Sequence, residues 1–206
     1  MISSDEFPGS KSRLYFEKLA ALVPFLPYEA MDRIVELLVR ACRQDRTIFV
    51  FGNGGSAASA SHMICDLNKG AAPASGNLRI KAIALTDNVP LLTAWANDLS
   101  YEHVFSEQLK NFVRPGDVVL ALSCTGNSAN VLAGLNAARE TGATTAGLAG
   151  FAGGAMKALC HVCAVVPCDN MQIIEDLHQA MLHSICSSVS ESLREPRPTL
   201  RLAAAR

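Results

Sequence analysis

Five short apolar runs, at 47–51, 80–85, 117–122, 144–149 and 161–166, recur along the 206-residue chain. Candidate helices lie between them, at 56–68, 88–98, 101–113, 128–141 and 153–159. The runs are too continuously apolar to alternate, which is the pattern of parallel strands covered on both faces. Strand, small polar loop and helix in regular succession predict an α/β fold, a doubly wound parallel sheet. Helical patterning also covers 11–45, broken near Pro24 and Pro27, with Met31, Ile34, Leu37 and Leu38 at helical spacing in "EAMDRIVELLVRAC". A last helix is expected at about 171–193, followed by a poorly structured tail at 194–206. No internal linker interrupts the series, so a single domain over 1–206 is expected.

Composition narrows the function classes. The formal net charge of −1 gives no electrostatic case for nucleic acid or for an anionic membrane. No apolar run approaches the ~18 residues of a membrane span. The start, "MISSDEFPGSKSR", has none of the apolar segment of a signal peptide. Seven cysteines, an odd number set mostly in apolar runs, read as reduced thiols in a cytoplasmic protein.

In a doubly wound sheet, ligands bind outside the carboxyl ends of the strands. Two small-residue loops sit there: "GNGGS" (52–56) after "TIFVF", and "SCTGNS" (123–128) after "DVVLAL". Gly54 and Gly55 let the backbone turn tightly and approach a ligand closely. The helix that follows offers free N–H groups and a positive dipole end. The second loop adds the hydroxyls of Ser123, Thr125 and Ser128, and such a set surrounds a phosphate without a formal cation. The same residues also suit ordinary turns capped by Ser and Asn. The first loop fits the G-x-G-x-x-G/A pattern of dinucleotide sites, but an acidic residue about 20 positions on is not well placed, and that reading leaves "SCTGNS" unexplained. A P-loop is excluded, because no G-x-x-x-x-G-K-[ST] occurs.

Together, "FGNGGSAASASH", "SCTGNSANV" and "IEDLHQAMLH" resemble the SIS (sugar isomerase) domain, and specifically the phosphoheptose isomerase family, over roughly residues 15–193. The resemblance implies a five-stranded parallel sheet of flavodoxin-like topology with additional N- and C-terminal helices. It also implies a homotetramer whose active sites are shared between subunits. Carried over, the phosphate residues are Ser123, Cys124, Thr125 and Ser128, with Asn53 and Ser56 on the sugar chain. Cys124 stands where the family usually has a hydroxyl, and a thiol is the poorer donor. Lys69, where the family often has arginine, either meets the substrate or is a solvated helix end. Asp87 and Asp98, after the second strand, either accept hydrogen bonds from sugar hydroxyls or cap helices.

Ketose–aldose isomerisation moves a proton between C1 and C2 through an enediol, and needs a base, an acid for the oxygens and a polarised carbonyl. His62 and Asp66, four residues apart, share a helix face, a spacing that equally suits a surface ion pair. On the last helix, Asp176 and His183 lie within about 20° of each other, while Glu175 and His183 differ by about 80°. By resemblance, His62, Asp66, Glu175 and His183 occupy the family's zinc-ligand positions, with Asp66 and His183 its catalytic pair. Asp66 stands where the family usually has glutamate, and Glu175 where it usually has glutamine. Two carboxylates and two imidazoles suit a divalent metal, zinc by expectation. Cys160-His-Val-Cys163 has a metal or redox spacing, yet it runs into a strand and reads as buried inert thiols. His178 reads as an interface residue.

The expected function is a ketose–aldose isomerase, an intramolecular oxidoreductase interconverting sedoheptulose 7-phosphate and D-glycero-D-manno-heptose 7-phosphate. The alternatives are a non-catalytic SIS module that binds sugar phosphate or a protein, as replication-initiator-binding relatives do, and an isomerase of another ketose phosphate.

Overall fold

Alternate residues of the first apolar run enter two different cores: Ile48 and Val50 pack with one set of helices, Phe49 and Phe51 with another. A strand buried on both faces must be covered on both, and the computed structural model, which describes residues 10–70 and 78–194, has this arrangement. The strands are β1 (Thr47–Gly52), β2 (Lys81–Ala84), β3 (Val118–Ser123), β4 (Thr144–Ala149) and β5 (Val162–Val165). They pair in parallel in the order β2-β1-β3-β4-β5, the flavodoxin-like order. All but Arg194 of the expected tail lies outside the described residues.

One face is covered by α2 (Tyr28–Arg43), α3 (Gly55–Cys65) and α8 (Met171–Arg194), which bury Ile34, Leu38, Met63, Leu177 and Ile185 against Val50, Leu120 and Leu148. The other face carries α4 (Val89–Asp98), α5 (Ser106–Phe112), α6 (Ala129–Glu140) and the short α7 (Met156–Leu159). Phe51 stacks on Phe105 there with ring centroids 4.7 Å apart, and burying each such ring contributes about 1.5–3 kcal/mol. The remaining helix, α1 (Lys11–Leu22), buries none of its residues; Leu14 and Phe16 are exposed. Tyr15 ties it to α8 by donating to Asp176 Oδ2 at 2.6 Å, a bond that pushes the phenol up to about 12. No helix among the described residues is long and apolar enough to cross a membrane.

Four differences from the sequence reading have local causes. The edge strands do alternate: Lys81 and Ile83 face outward while Ala82 and Ala84 are buried, because at the sheet margin one face is left uncovered. The stretch 101–113 is not one helix. A 3-10 turn (Tyr101–His103) precedes α5, and the break delivers Val104 and Phe105 into the core. Gly153 and Gly154 have φ of +89° and +55°, so α7 begins only at Met156. Past Cys65, the last turn of α3 widens into a π-helical turn, Asp66–Gly70, a form often found at functional sites.

The chain steps from β1 to β2 on one side, then passes back to β3 on the other. Strand order reverses between β1 and β3, and both small-residue loops leave the sheet there.

Candidate active site

Leaving β3, the loop 123–128 is folded by its own side chains before α6 begins. Ser123 Oγ accepts from the Gly126 N–H at 3.2 Å and lies 3.3 Å from Ser128 Oγ, while Thr125 Oγ1 accepts from the Asn127 N–H. Gly126 has φ +67°, and a Cβ there would stand 2.1 Å from the Gly153 carbonyl oxygen, so only glycine lets the loop seat on that turn. Leaving β1, the chain passes through Asn53 and Gly54 into α3. The two loops and the start of α8 enclose a cavity of about 130 Å³ lined by Asn53, Ser56, Ser123, Cys124, Thr125 and Ser128, with Leu122, Met171 and Glu175. The residues expected at the phosphate and the adjoining sugar are therefore neighbours, with Gly54 and Gly55 forming the turn beside them.

Glu175 is in this cavity, not with the other expected metal ligands. Its Oε1 lies 3.9 Å from Cys124 Sγ, and a Cβ on Gly55 would meet that oxygen at 2.9 Å. Burial pushes the Cys124 thiol up, and the Glu175 charge adds to the shift. Cys124 and Glu175, two positions at which this chain departs from the resembled pattern, thus touch each other. The cause is helical phase: Glu175 sits two turns before His183 and about 80° round the helix from it.

The other three expected ligands do converge. His62 Nε2 and His183 Nε2 are 3.2 Å apart, and each is 3.7 Å from Asp66 Oδ2. A tetrahedral zinc with bonds of about 2.0–2.1 Å places its ligand atoms about 3.3–3.4 Å from one another, so this donor set fits one face of such a site. The π-helical turn begins at Asp66, whose backbone N–H bonds to the His62 and Met63 carbonyls. Both imidazoles are half exposed, and the cluster borders a second cavity of about 230 Å³ with Gly70, Cys186, Ser187 and Ser190. Burial and the Asp66 charge push the Cys186 thiol up to about 12.

Three expected substrate residues are not brought to either cavity. Lys69 is exposed on the π-helical turn. Asp87 accepts from Ser61 Oγ and lies near Thr86 Oγ1, and Asp98 accepts from its neighbour Asn97. His178 is a core residue of this chain, not an interface residue: it is 2% exposed and hydrogen-bonded to the Ala149 backbone, and burial lowers its pKa. Cys160 and Cys163 are half-buried free thiols hydrogen-bonded to each other, which holds the first thiol up and the second down.

Sequence reading missed Asn130, Tyr101 and Gln179. Asn130 and Tyr101 both bond the Asn53 side chain, and Gln179 Nε2 lies 2.9 Å from His183 Nε2. Two of them carried a faint signal. Asn130 belongs to the quoted "SCTGNSANV", an amide in the first turn of a helix whose other inward residues are apolar, and Gln179 is one helical turn before His183.

The SIS domain family matches residues 15–150. The chain is 40% identical to a phosphoheptose isomerase of Rhodospirillum rubrum over 80% of this chain and 86% of that protein. It is 36% identical to a probable phosphoheptose isomerase of Thermoplasma acidophilum over 87% of this chain and 98% of that one. Among solved structures, the phosphoheptose isomerase GmhA of Neisseria gonorrhoeae superposes with a TM-score of 0.79 at 31% identity, covering 87% of this chain and 97% of that one. A phosphoheptose isomerase of Francisella tularensis gives 0.77 at 26% identity, covering 92% and 98%.

Proposed function

We propose, from the premise that this chain belongs to the phosphoheptose isomerase family of SIS-domain proteins, that it interconverts sedoheptulose 7-phosphate and D-glycero-D-manno-heptose 7-phosphate. The observation that carries the reading is the pairing of two sites on the same two helices. Gly55 and Glu175 meet at the phosphate cavity, and His62, Asp66 and His183 meet further along α3 and α8. From Glu175 to His183 the helix advances about 12 Å, a length of the order of an extended seven-carbon chain from its terminal phosphate to its carbonyl.

In this reading the hydroxyls of Ser123, Thr125 and Ser128 and the N–H groups of their loop hold the phosphate, with Asn53 and Ser56 on the adjoining carbons. Asp66 moves the proton between C1 and C2, and His183 serves the substrate oxygens. Asp66 Oδ2 faces the two imidazoles, which leaves Oδ1 for the proton. A divalent metal held by His62, Asp66 and His183, zinc by its donor set, would polarise the carbonyl. Glu175 has no part in that set as it stands in the structure. The deciding experiment is incubation of the metal-replete protein with a panel of ketose phosphates, with aldose formation followed. Turnover of sedoheptulose 7-phosphate is expected, and binding without turnover of any ketose would leave the non-catalytic module in its place.

Replacing Ser123 and Ser128 together by alanine should weaken inorganic phosphate binding about tenfold, the loss of hydrogen bonds to a charged group, with the melting transition preserved. Unchanged affinity in calorimetry would remove the loop from the site.

The same reading takes the chain as a single cytoplasmic domain, its core at about 15–193, assembled as a homotetramer with shared sites. The exposed Leu14, Phe16 and Phe25 of the N-terminal helices and Ile83 of the edge strand support the assembly, since subunit contacts cover such residues. Sedimentation velocity should give a tetramer, and a concentration-independent monomer would exclude it.

A further inference from the structure

We propose that Asn130 is a positioning residue that fixes the Asn53 amide so that Asn53 offers the bound sugar phosphate an N–H donor and no acceptor. This deepens the reading of the 130 Å³ cavity as a sugar-phosphate site and rests on it.

Asn53 Nδ2 donates to Asn130 Oδ1 at 2.8 Å, and Asn130 Nδ2 donates back to Asn53 Oδ1 at 2.8 Å. Tyr101 Oη donates to the same Asn53 oxygen at 3.1 Å. A carboxamide has two acceptor positions on its oxygen and two N–H bonds. Both acceptor positions of Asn53 are engaged, one N–H is held by Asn130, and a single N–H remains. Asn53 lines the cavity; Asn130 does not, and is 3% exposed. Rotating the Asn53 amide alone by half a turn would set oxygen against oxygen and N–H against N–H across the pair. The buried partner therefore couples the two amides, so that Asn53 reverses only if Asn130 reverses with it, and as the pair stands the Asn53 oxygen faces Asn130 and Tyr101 with one N–H left over. Leaving buried amide groups mismatched is costly, so the arrangement is held without any direct contact between Asn130 and substrate.

The chemistry follows from that polarity. The remaining N–H complements an oxygen acceptor, whether a hydroxyl, a carbonyl or a phosphate ester oxygen. It is mismatched to an ammonium group, so at the contacted carbon the site favours a hydroxylated sugar phosphate over an amino-sugar phosphate.

The test measures binding by calorimetry with two probes, sedoheptulose 7-phosphate and inorganic phosphate. In Asn130→Ala the Asn53 amide is released; sugar-phosphate affinity should fall about tenfold, while inorganic phosphate stays within about twofold of the parent. A merely structural role at the start of α6 would weaken both probes together, because the same turn carries Ser128. Parallel loss of both, or an unchanged sugar-phosphate affinity, overturns the proposal. If Asn130→Ala does not fold, Asn53→Asp keeps the acceptor contacts to Asn130 and Tyr101 and lacks the N–H. Its added charge repels both probes, so the ratio is the readout: sugar-phosphate affinity should fall at least tenfold more than inorganic phosphate affinity, and an equal fall or parent-like binding overturns the proposal. The readout is binding, so a parent protein that binds sedoheptulose 7-phosphate without isomerising it would sink the proposed reaction and leave this assignment standing. A parent that binds inorganic phosphate but no sugar phosphate would overturn both.

Discussion

Asp66→Asn is expected to lower kcat for sedoheptulose 7-phosphate by about a thousandfold, within the range that general acid–base groups supply. An amide cannot take the proton from carbon, and the substitution also removes the negative charge that faces His62 and His183 at 3.7 Å. The cavity at the loop 123–128 should be unaffected, since it shares no lining residue with the cavity beside Asp66. Inorganic phosphate should therefore inhibit or bind as in the parent. Metal content, read by mass spectrometry, should fall along with turnover. Asp66→Glu distinguishes a short arm that limits the reaction from one that fits it. The three ligand atoms are already spaced as one tetrahedral face requires, so an added methylene pushes the carboxylate past its place. Activity should fall, and a rise in heptose-phosphate isomerisation would show that the aspartate is the misfit. Full activity in Asp66→Asn would remove Asp66 from the proton-transfer step.

The architecture was legible because the central strands are buried on both faces and so read as continuous apolar runs. Leu120, Ala121 and Leu122 admit no other placement once a parallel sheet is assumed. The loops after β1 and β3 were legible for a related reason: only small residues allow the close approach seen at Gly126. Less visible was anything set by the rotation of one helix against another. Glu175 and His183 share a helix, and periodicity gave their difference in phase, yet which of them meets His62 and which meets the loop 123–128 depends on how α8 lies on the sheet. Asn130 was hidden differently. Its role comes from a reciprocal amide pair across 77 positions of sequence, and no local pattern marks a partner that distant. The breaks at 104–105 and 153–154 were missed because helical spacing continued through them, while burial of Val104 and Phe105 and the backbone of Gly153 and Gly154 decided otherwise.

Glu175→Gln is expected to tighten binding of inorganic phosphate by up to about a hundredfold. The carboxylate lines the same cavity as Ser123, Thr125 and Ser128, with its Oε1 3.9 Å from Cys124 Sγ. Two like charges about 5 Å apart at an effective dielectric of about 20 repel by about 3 kcal/mol, which is roughly a hundredfold in affinity. Glutamine keeps the size and the hydrogen-bonding reach and removes the charge. Because Glu175 is partly exposed, added salt should shrink the difference between the two proteins, and low ionic strength should enlarge it. Cys124→Ser supplies the second arm. It restores a hydroxyl donor to the loop, and since Cys124 and Glu175 are in contact, its benefit should be larger in the Glu175→Gln background than alone. A double-mutant cycle measured with inorganic phosphate reads that coupling directly. Weaker phosphate binding in Glu175→Gln would mean that the carboxylate attracts something the phosphate needs, such as a cation, and the repulsion argument would fall. Equal gains from Cys124→Ser in both backgrounds would mean that the thiol and the carboxylate, though adjacent, act on the ligand independently.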